Sequence, residues 1–423
     1  MDQSRGPGLA RRLGTTDAVM IGLGSMIGAG VFGAFSPAAL SAGARLLIGL
    51  GIAALVAYCN ATASAQLAAQ YPTSGGTYIY GRERLGDWWG FLAGWGFVIG
   101  KTASCAAMAL TFAAYAVRPH WEQAVATAAV MFLAGVNYRG VTRTVGMTRV
   151  IVTVVLATLA VVVAAGQFGG QFDLTRLATG SDPELGWYGV LQSAGLLFFA
   201  FAGYARIATM GEEVRAPERT IPRAIQLALA LTVAVYVAIA ITLLGVLGAA
   251  GVANSTSPLA DAVQAGSWSW AEPIVRFGAA AAALGALLAL IAGVGRTILA
   301  MARTEDLPGW LAAVHPRFHV PHRAEVALAG VVCLLVLTID LRGAIGFSSF
   351  GVLVYYLVAN VSAYTQDREH RRFPRPLQVL GSIGCALLVL TLPVSSVISG
   401  LGVFALGVAY RLWHVRRHRE ARS

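Results

Sequence analysis

The chain has 423 residues, 57% hydrophobic and only 12% charged, against roughly 25% charged residues in a soluble domain, which excludes a soluble globular protein. Its formal net charge of +11 recurs in alternate loops instead of gathering on one domain, a pattern that sets membrane topology and speaks against nucleic acid as a partner. No period-2 segments suggest a barrel, and the 49 glycines among long Ala, Leu and Val tracts suit closely packed membrane helices.

Residues 1–16 carry Arg5, Arg11 and Arg12 and read as a cytoplasmic segment; no small-residue cleavage site follows, so the first apolar run is a retained helix. At roughly 20 residues per crossing, twelve spans are expected, near 17–40, 45–69, 88–117, 121–137, 145–166 and 187–211, then 222–249, 273–302, 323–340, 343–364, 376–391 and 394–412. The last two are separated only by a bend near Pro393, and residues 413–423 form a basic tail that suits anionic lipid. With the N-terminus inside, 25 of the 31 Lys and Arg fall in cytoplasmic segments and five outside, namely Arg45, Arg118, Arg176, Arg276 and Arg342. That bias places both termini in the cytoplasm of a cell-membrane protein.

Within the first span, Gly24-Ser25-Met26-Ile27-Gly28-Ala29-Gly30 puts three glycines in seven positions, each costing roughly 1 kcal/mol relative to alanine in a helix. Unwound backbone survives at membrane depth only where buried protein, a watery cavity or a ligand satisfies it. A second interruption, Phe198-Phe199-Ala200-Phe201-Ala202-Gly203-Tyr204, recurs about 175 residues later in the sixth span. Spans one to five (17–166) and six to ten (187–364) then read as two copies. Five being odd, the copies lie in opposite orientations, with 376–412 as two added helices. Paired broken helices in matching places of an inverted repeat point to a transporter's midplane site; close packing of neighbouring helices is the other reading of each glycine cluster.

Lys101, the only lysine, lies near the centre of the third span. An ammonium there costs at least ~2.5 kcal/mol, which makes it a functional candidate by default; it reads as the proton carrier, with a fixed charge on a substrate carboxylate and a lysine snorkelling to an interface as alternatives. The middle of the eighth span, 279–294, has no Ser or Thr to hold sodium, and no Asp or Glu lies near the middle of any span. Cys59, Cys105, Cys333 and Cys385 lie in apolar runs without a CxxC pair and read as packing residues, so neither a metal site nor a cofactor is expected.

Four stretches carry a family resemblance. Gly24 through Phe32 is similar to the first-helix signature of the amino acid-polyamine-organocation superfamily of amino acid permeases. Tyr71-Pro72-Thr73-Ser74-Gly75-Gly76-Thr77-Tyr78 with Gly81 to Gly86, Gly211 to Arg215 with Pro217 to Pro222, and Met301-Ala302-Arg303 before Leu307-Pro308 agree in order and spacing. The resemblance implies an all-α fold of the LeuT type: 5+5 inverted repeats, about twelve spans, helices one and six broken. It also implies that Ser25, Met26, Ile27, Gly28, Ala29 and Gly30, with Phe199, Ala200, Phe201, Ala202, Gly203 and Tyr204, contact an amino acid substrate.

The chemistry agrees with that assignment. The N–H groups opening the inner half-helix, from Ile27 to Gly30, suit a carboxylate, and carbonyls around Ile21–Gly24 and Phe199–Ala202 suit an ammonium. Phe199, Phe201 and Tyr204 would wall the side-chain pocket. Many family members place an acid after the Gly-Phe or Gly-Tyr of helix six, whereas Ala205 and Arg206 stand here, which favours neutral substrates over cationic ones. At the inner end Glu212 and Glu213 face loops bearing Arg82, Arg84, Arg215 and Arg219; salt links that latch a gate and a merely solvated charged loop are the two readings. The leading expectation is a proton-coupled symporter of neutral amino acids. An uncoupled exchanger and a non-transporting sensor remain open; no acid/base constellation supports an enzyme using Lys101 as a Schiff-base amine, and no filter motif supports a channel. Oligomeric state is left open.

Overall fold

A computed structural model describes residues 13–72, 75–140, 145–178, 186–208, 210 and 213–420. The described residues are helical and contain no strand; one isolated bridge joins Leu13 to Val214. The first span is three pieces, α1 (Thr15–Met26), α2 (Ala29–Gly33) and α3 (Phe35–Ala42), followed by α4 (Leu46–Gln70). A short α5 (Thr77–Leu85) precedes α6 (Asp87–Ala116), α7 (Glu122–Tyr138) and α8 (Val145–Phe168). The sixth span is α9 (Gly186–Phe201), a 3-10 turn at Ala202–Tyr204 and α10 (Ala205–Ala208). Then come α11 (Pro217–Asn254), a short α12 (Pro258–Gln264), α13 (Glu272–Arg303), α14 (His322–Thr338), α15 (Leu341–Tyr364), α16 (Arg375–Thr391) and α17 (Val394–Glu420).

Among the described residues nine helical stretches are long and apolar enough to cross a membrane. The 17-residue helices α7, α14 and α16 stand where the fourth, ninth and eleventh spans are expected. A helix thus occupies each of the twelve expected places.

Boundaries differ from expectation where proline and glycine act. The seventh span starts at Pro217, whose missing N–H costs nothing at the first helical position. Pro222 then cannot donate to the Glu218 carbonyl, and the Arg372 guanidinium donates to it instead. Near the other end Gly248 leaves the helix at φ 69 and ψ 170. The carbonyls freed there are met from the preceding loop: Asp173 N donates to Gly245 O at 3.0 Å, and Arg176 donates to Val246 O. The last helix, α17, continues beyond the expected span to Glu420 and so takes in most of the basic stretch.

The core is built around α6. A Cβ added at Gly96 would lie 2.8 Å from the Gly351 carbonyl, and one at Gly100 3.0 Å from that of Ser348, so α6 and α15 meet backbone to backbone. Ser104 and Ser348 hydrogen bond across this contact at 2.7 Å. This seam fixes Lys101 in the interior, 8% exposed.

Candidate functional site

The two interruptions lie against one another. The helical path stops at Met26, and Ile27 (φ −81, ψ 18) and Gly28 (φ −67, ψ −132) turn the chain before α2 begins. A Cβ on Gly30 would sit 2.7 Å from the Ala200 Cα, and one on Gly203 would collide with the backbone of Ser25 and Met26. Close packing therefore needs these two glycines directly. At Gly28 the constraint is the Ala286 side chain of α13, whose Cβ would be 2.9 Å away. The half-helix after the break is the one farther from the N-terminus, so with a cytoplasmic N-terminus it is the outer half, not the inner half that the sequence reading took it for.

Each break exposes carbonyls, and this chain supplies donors to several. Ser25 Oγ donates to Ile21 O at 2.9 Å, and Ile27 N to Leu23 O at 2.7 Å. The Tyr236 hydroxyl of α11 lies 2.6 Å from Met26 O and 2.9 Å from Ala200 O, one donor facing both broken spans. Ala202 O receives Lys101 Nζ at 3.3 Å and the Tyr356 hydroxyl at 3.3 Å. Lys101 thus reaches sideways to the sixth-span break and does not run toward a helix end. Among the expected wall residues, Phe201 packs on Tyr236 and Tyr204 on Tyr356, both with ring centroids 5.0 Å apart. Phe201 and Tyr204 are fully buried, and Phe199 keeps 8% exposure. Beside the first break, a crevice with room for about 10 Å³ is lined by Leu23, Ile27, Ile151, Val152, Val155 and Ala282 together with Gly24 and Gly28, none of which has a side-chain oxygen.

The sequence profile of the family described as amino acid permease matches residues 13–410, nearly the whole chain. The chain belongs to this family. It is a multi-pass amino acid transporter, not an enzyme. An uncharacterized transporter of Mycobacterium tuberculosis (strain H37Rv) is 59% identical to the permease over 401 residues, 95% of this chain and 90% of that one. The branched-chain amino acid permease BcaP of Bacillus subtilis is 23% identical, covering 97% and 94% of the two chains. Human cationic amino acid transporter 4 is 26% identical over 84% of this chain and 59% of its own length.

At the end of the permease where α1 begins, Arg82 and Arg84, two of the arginines expected to meet Glu212 and Glu213, have other partners. Glu212 lies outside the described residues. Glu213 takes part through its backbone, its carbonyl accepting from Leu13 N at 3.1 Å, and its charge faces the exposed Arg206, which also senses Arg296. Arg82 pairs with Asp87 at 2.8 Å and Asp306 at 3.1 Å, and donates to the Tyr78 hydroxyl at 2.8 Å. Arg84 donates to the Thr365 carbonyl and reaches Asp367 at 3.5 Å. Asp306 is the hub: 5% exposed, it also accepts from Tyr78 at 2.7 Å and from Arg411 of α17, whose guanidinium lies over the Trp88 and Phe91 rings. Burial, with the Asp306 carboxylate beside it, holds the Tyr78 phenol above the usual tyrosine range. Asp17, at the start of the first span, pairs with Arg149 of α8.

Sequence reasoning missed Tyr236, Tyr356, Asp306 and Asp17. A signal existed for the tyrosines, since a buried phenol needs a polar partner, but nothing in a single sequence says which carbonyl receives it.

Proposed function

We propose that the permease moves neutral amino acids together with protons across the plasma membrane by alternating access, with both termini in the cytoplasm. Residues 17–166 and 187–364 act as two oppositely oriented repeats that meet at the site, with 376–412 outside them. The substrate carboxylate takes the N–H groups from Gly28 to Gly30, since Ile27 N is already held by Leu23 O, and its ammonium takes carbonyls of the sixth-span break, within Phe199–Ala202. Gly203 lets the two breaks approach. Phe199, the one wall aromatic with residual exposure, faces the substrate side chain.

The observation that carries this reading is the Lys101 ammonium on Ala202 O, 3.3 Å away, where the two broken spans meet. A titratable cation reaching that point from α6 can hold a proton as the site loads and lose it when the site opens inward. The same charge disfavours a cationic side chain, and Ala205 supplies no acid to offset it. The relative named for branched-chain substrates accords with a neutral pocket; those named for cationic amino acids do not.

A screen of the twenty amino acids by thermal stabilisation of the purified protein tests the specificity. Neutral side chains are expected to raise the unfolding midpoint and arginine and lysine to leave it unchanged. Stabilisation by arginine above that by any neutral amino acid would overturn the charge argument.

A further inference from the structure

A carbonyl oxygen has two lone pairs and accepts two good hydrogen bonds. At Ala202 both places are taken, by Lys101 Nζ and by the Tyr356 hydroxyl. Yet this carbonyl belongs to the set that the proposed function assigns to the substrate's ammonium, so an arriving amine meets an acceptor already filled. Both occupants sit at 3.3 Å, just beyond the usual range for such bonds and therefore held weakly. Lys101 is the occupant that resembles the substrate: a primary ammonium on a flexible stem.

We propose that Lys101 is a tethered stand-in for the substrate's ammonium, parked on the Ala202 carbonyl in the empty site and displaced when an amino acid arrives. The inference rests on the reading of the sixth-span break as the amine subsite. In the empty site Lys101 fills the second acceptor place of a carbonyl released from its helix at membrane depth, the first being met by the Tyr356 hydroxyl. An amino acid wins the exchange because it binds at two ends, its carboxylate reaching N–H groups that the lysine does not touch. Only hydrogen-bond partners change; no covalent bond is made or broken.

Displacement also gives the site a way to recognise an amine before committing to transport. A carboxylic acid without the amine has no claim on Ala202 O and leaves Lys101 in place. An amine without the carboxylate competes for the carbonyl but gains nothing at the first-span break. The lysine therefore sets a threshold that a ligand with both groups crosses most readily.

Because Lys101 is the only lysine in the chain, protein grown on [ε-13C]lysine gives a single methylene signal that reports its position. The probes are the neutral amino acid with the largest stabilisation in the screen, its des-carboxy amine and its des-amino acid; for leucine these are 3-methylbutylamine and 4-methylpentanoate. The amino acid and the amine are expected to shift the signal and the acid to leave it unmoved. In Lys101→Met the amine is expected to bind at least tenfold more tightly than in the wild type, because its carbonyl is already vacated. A signal that saturating amino acid does not move, or that the acid moves as far as the amine, overturns the stand-in, as does unchanged or weaker amine binding in the variant. If none of the twenty amino acids stabilises the protein, the transport reading fails and the stand-in fails with it. Stabilisation with an unmoved lysine signal defeats the stand-in alone.

Discussion

Tyr236 shows how a single hydroxyl can join two elements. Its oxygen lies within hydrogen-bonding distance of Met26 O and Ala200 O, one from each broken span, and its ring is 1% exposed. Tyr236→Phe keeps the ring contacts with Phe201 and Phe35 and removes only the donor. Leaving a buried carbonyl unsatisfied costs about 1–3 kcal/mol, so a lower unfolding midpoint in detergent and slower uptake in liposomes are expected. A midpoint equal to wild type would show that the hydroxyl does not hold the breaks together.

At the scale of elements, most of the helical order was legible because membrane spans advertise themselves by length and hydropathy. The two breaks were legible for a different reason: Gly28, Gly30 and Gly203 are poor helix residues with no compensating role visible in the sequence. What remained hidden was short or interfacial. The helices α5 and α12, of nine and seven residues, carry too few residues for a hydropathy window, and each depends on a long-range partner. The backbone of Leu259 in α12, for example, donates to the Tyr115 hydroxyl at 3.3 Å. The pairing of Arg82 and Arg84 with Asp87, Asp306 and Asp367 was also hidden, because the composition offered several acids and several arginines and only the fold selects among them. Asp306, placed by the turn after α13, ties α5, α6 and α17 into one body. Asp306→Asn would leave Arg82 and Arg411 without that charge, and breaking a buried pair costs about 3–5 kcal/mol. Arg84→Ala, which removes an exposed pair, should cost about 1 kcal/mol or less. Comparable unfolding midpoints for the two variants would contradict this ranking.

For the whole molecule, the arrangement divides the work. In the proposed function the breaks offer backbone groups that suit what all amino acids share, and Lys101 is assigned the tasks of telling a neutral side chain from a cationic one and of binding the coupling proton. The polar contacts at the two ends of the first span differ in kind: Tyr115 donates to Phe32 O at 3.1 Å beyond the break, and Asp17 pairs with Arg149 at its start. The central claim, that Lys101 couples transport to protons, is tested most directly by uptake of a labelled neutral amino acid into proteoliposomes under an imposed inward proton gradient. Wild-type protein is expected to accumulate the amino acid against its gradient, and Lys101→Ala to lose the dependence on the proton gradient while still binding the amino acid. Uptake by Lys101→Ala that still follows the imposed pH gradient would contradict the account.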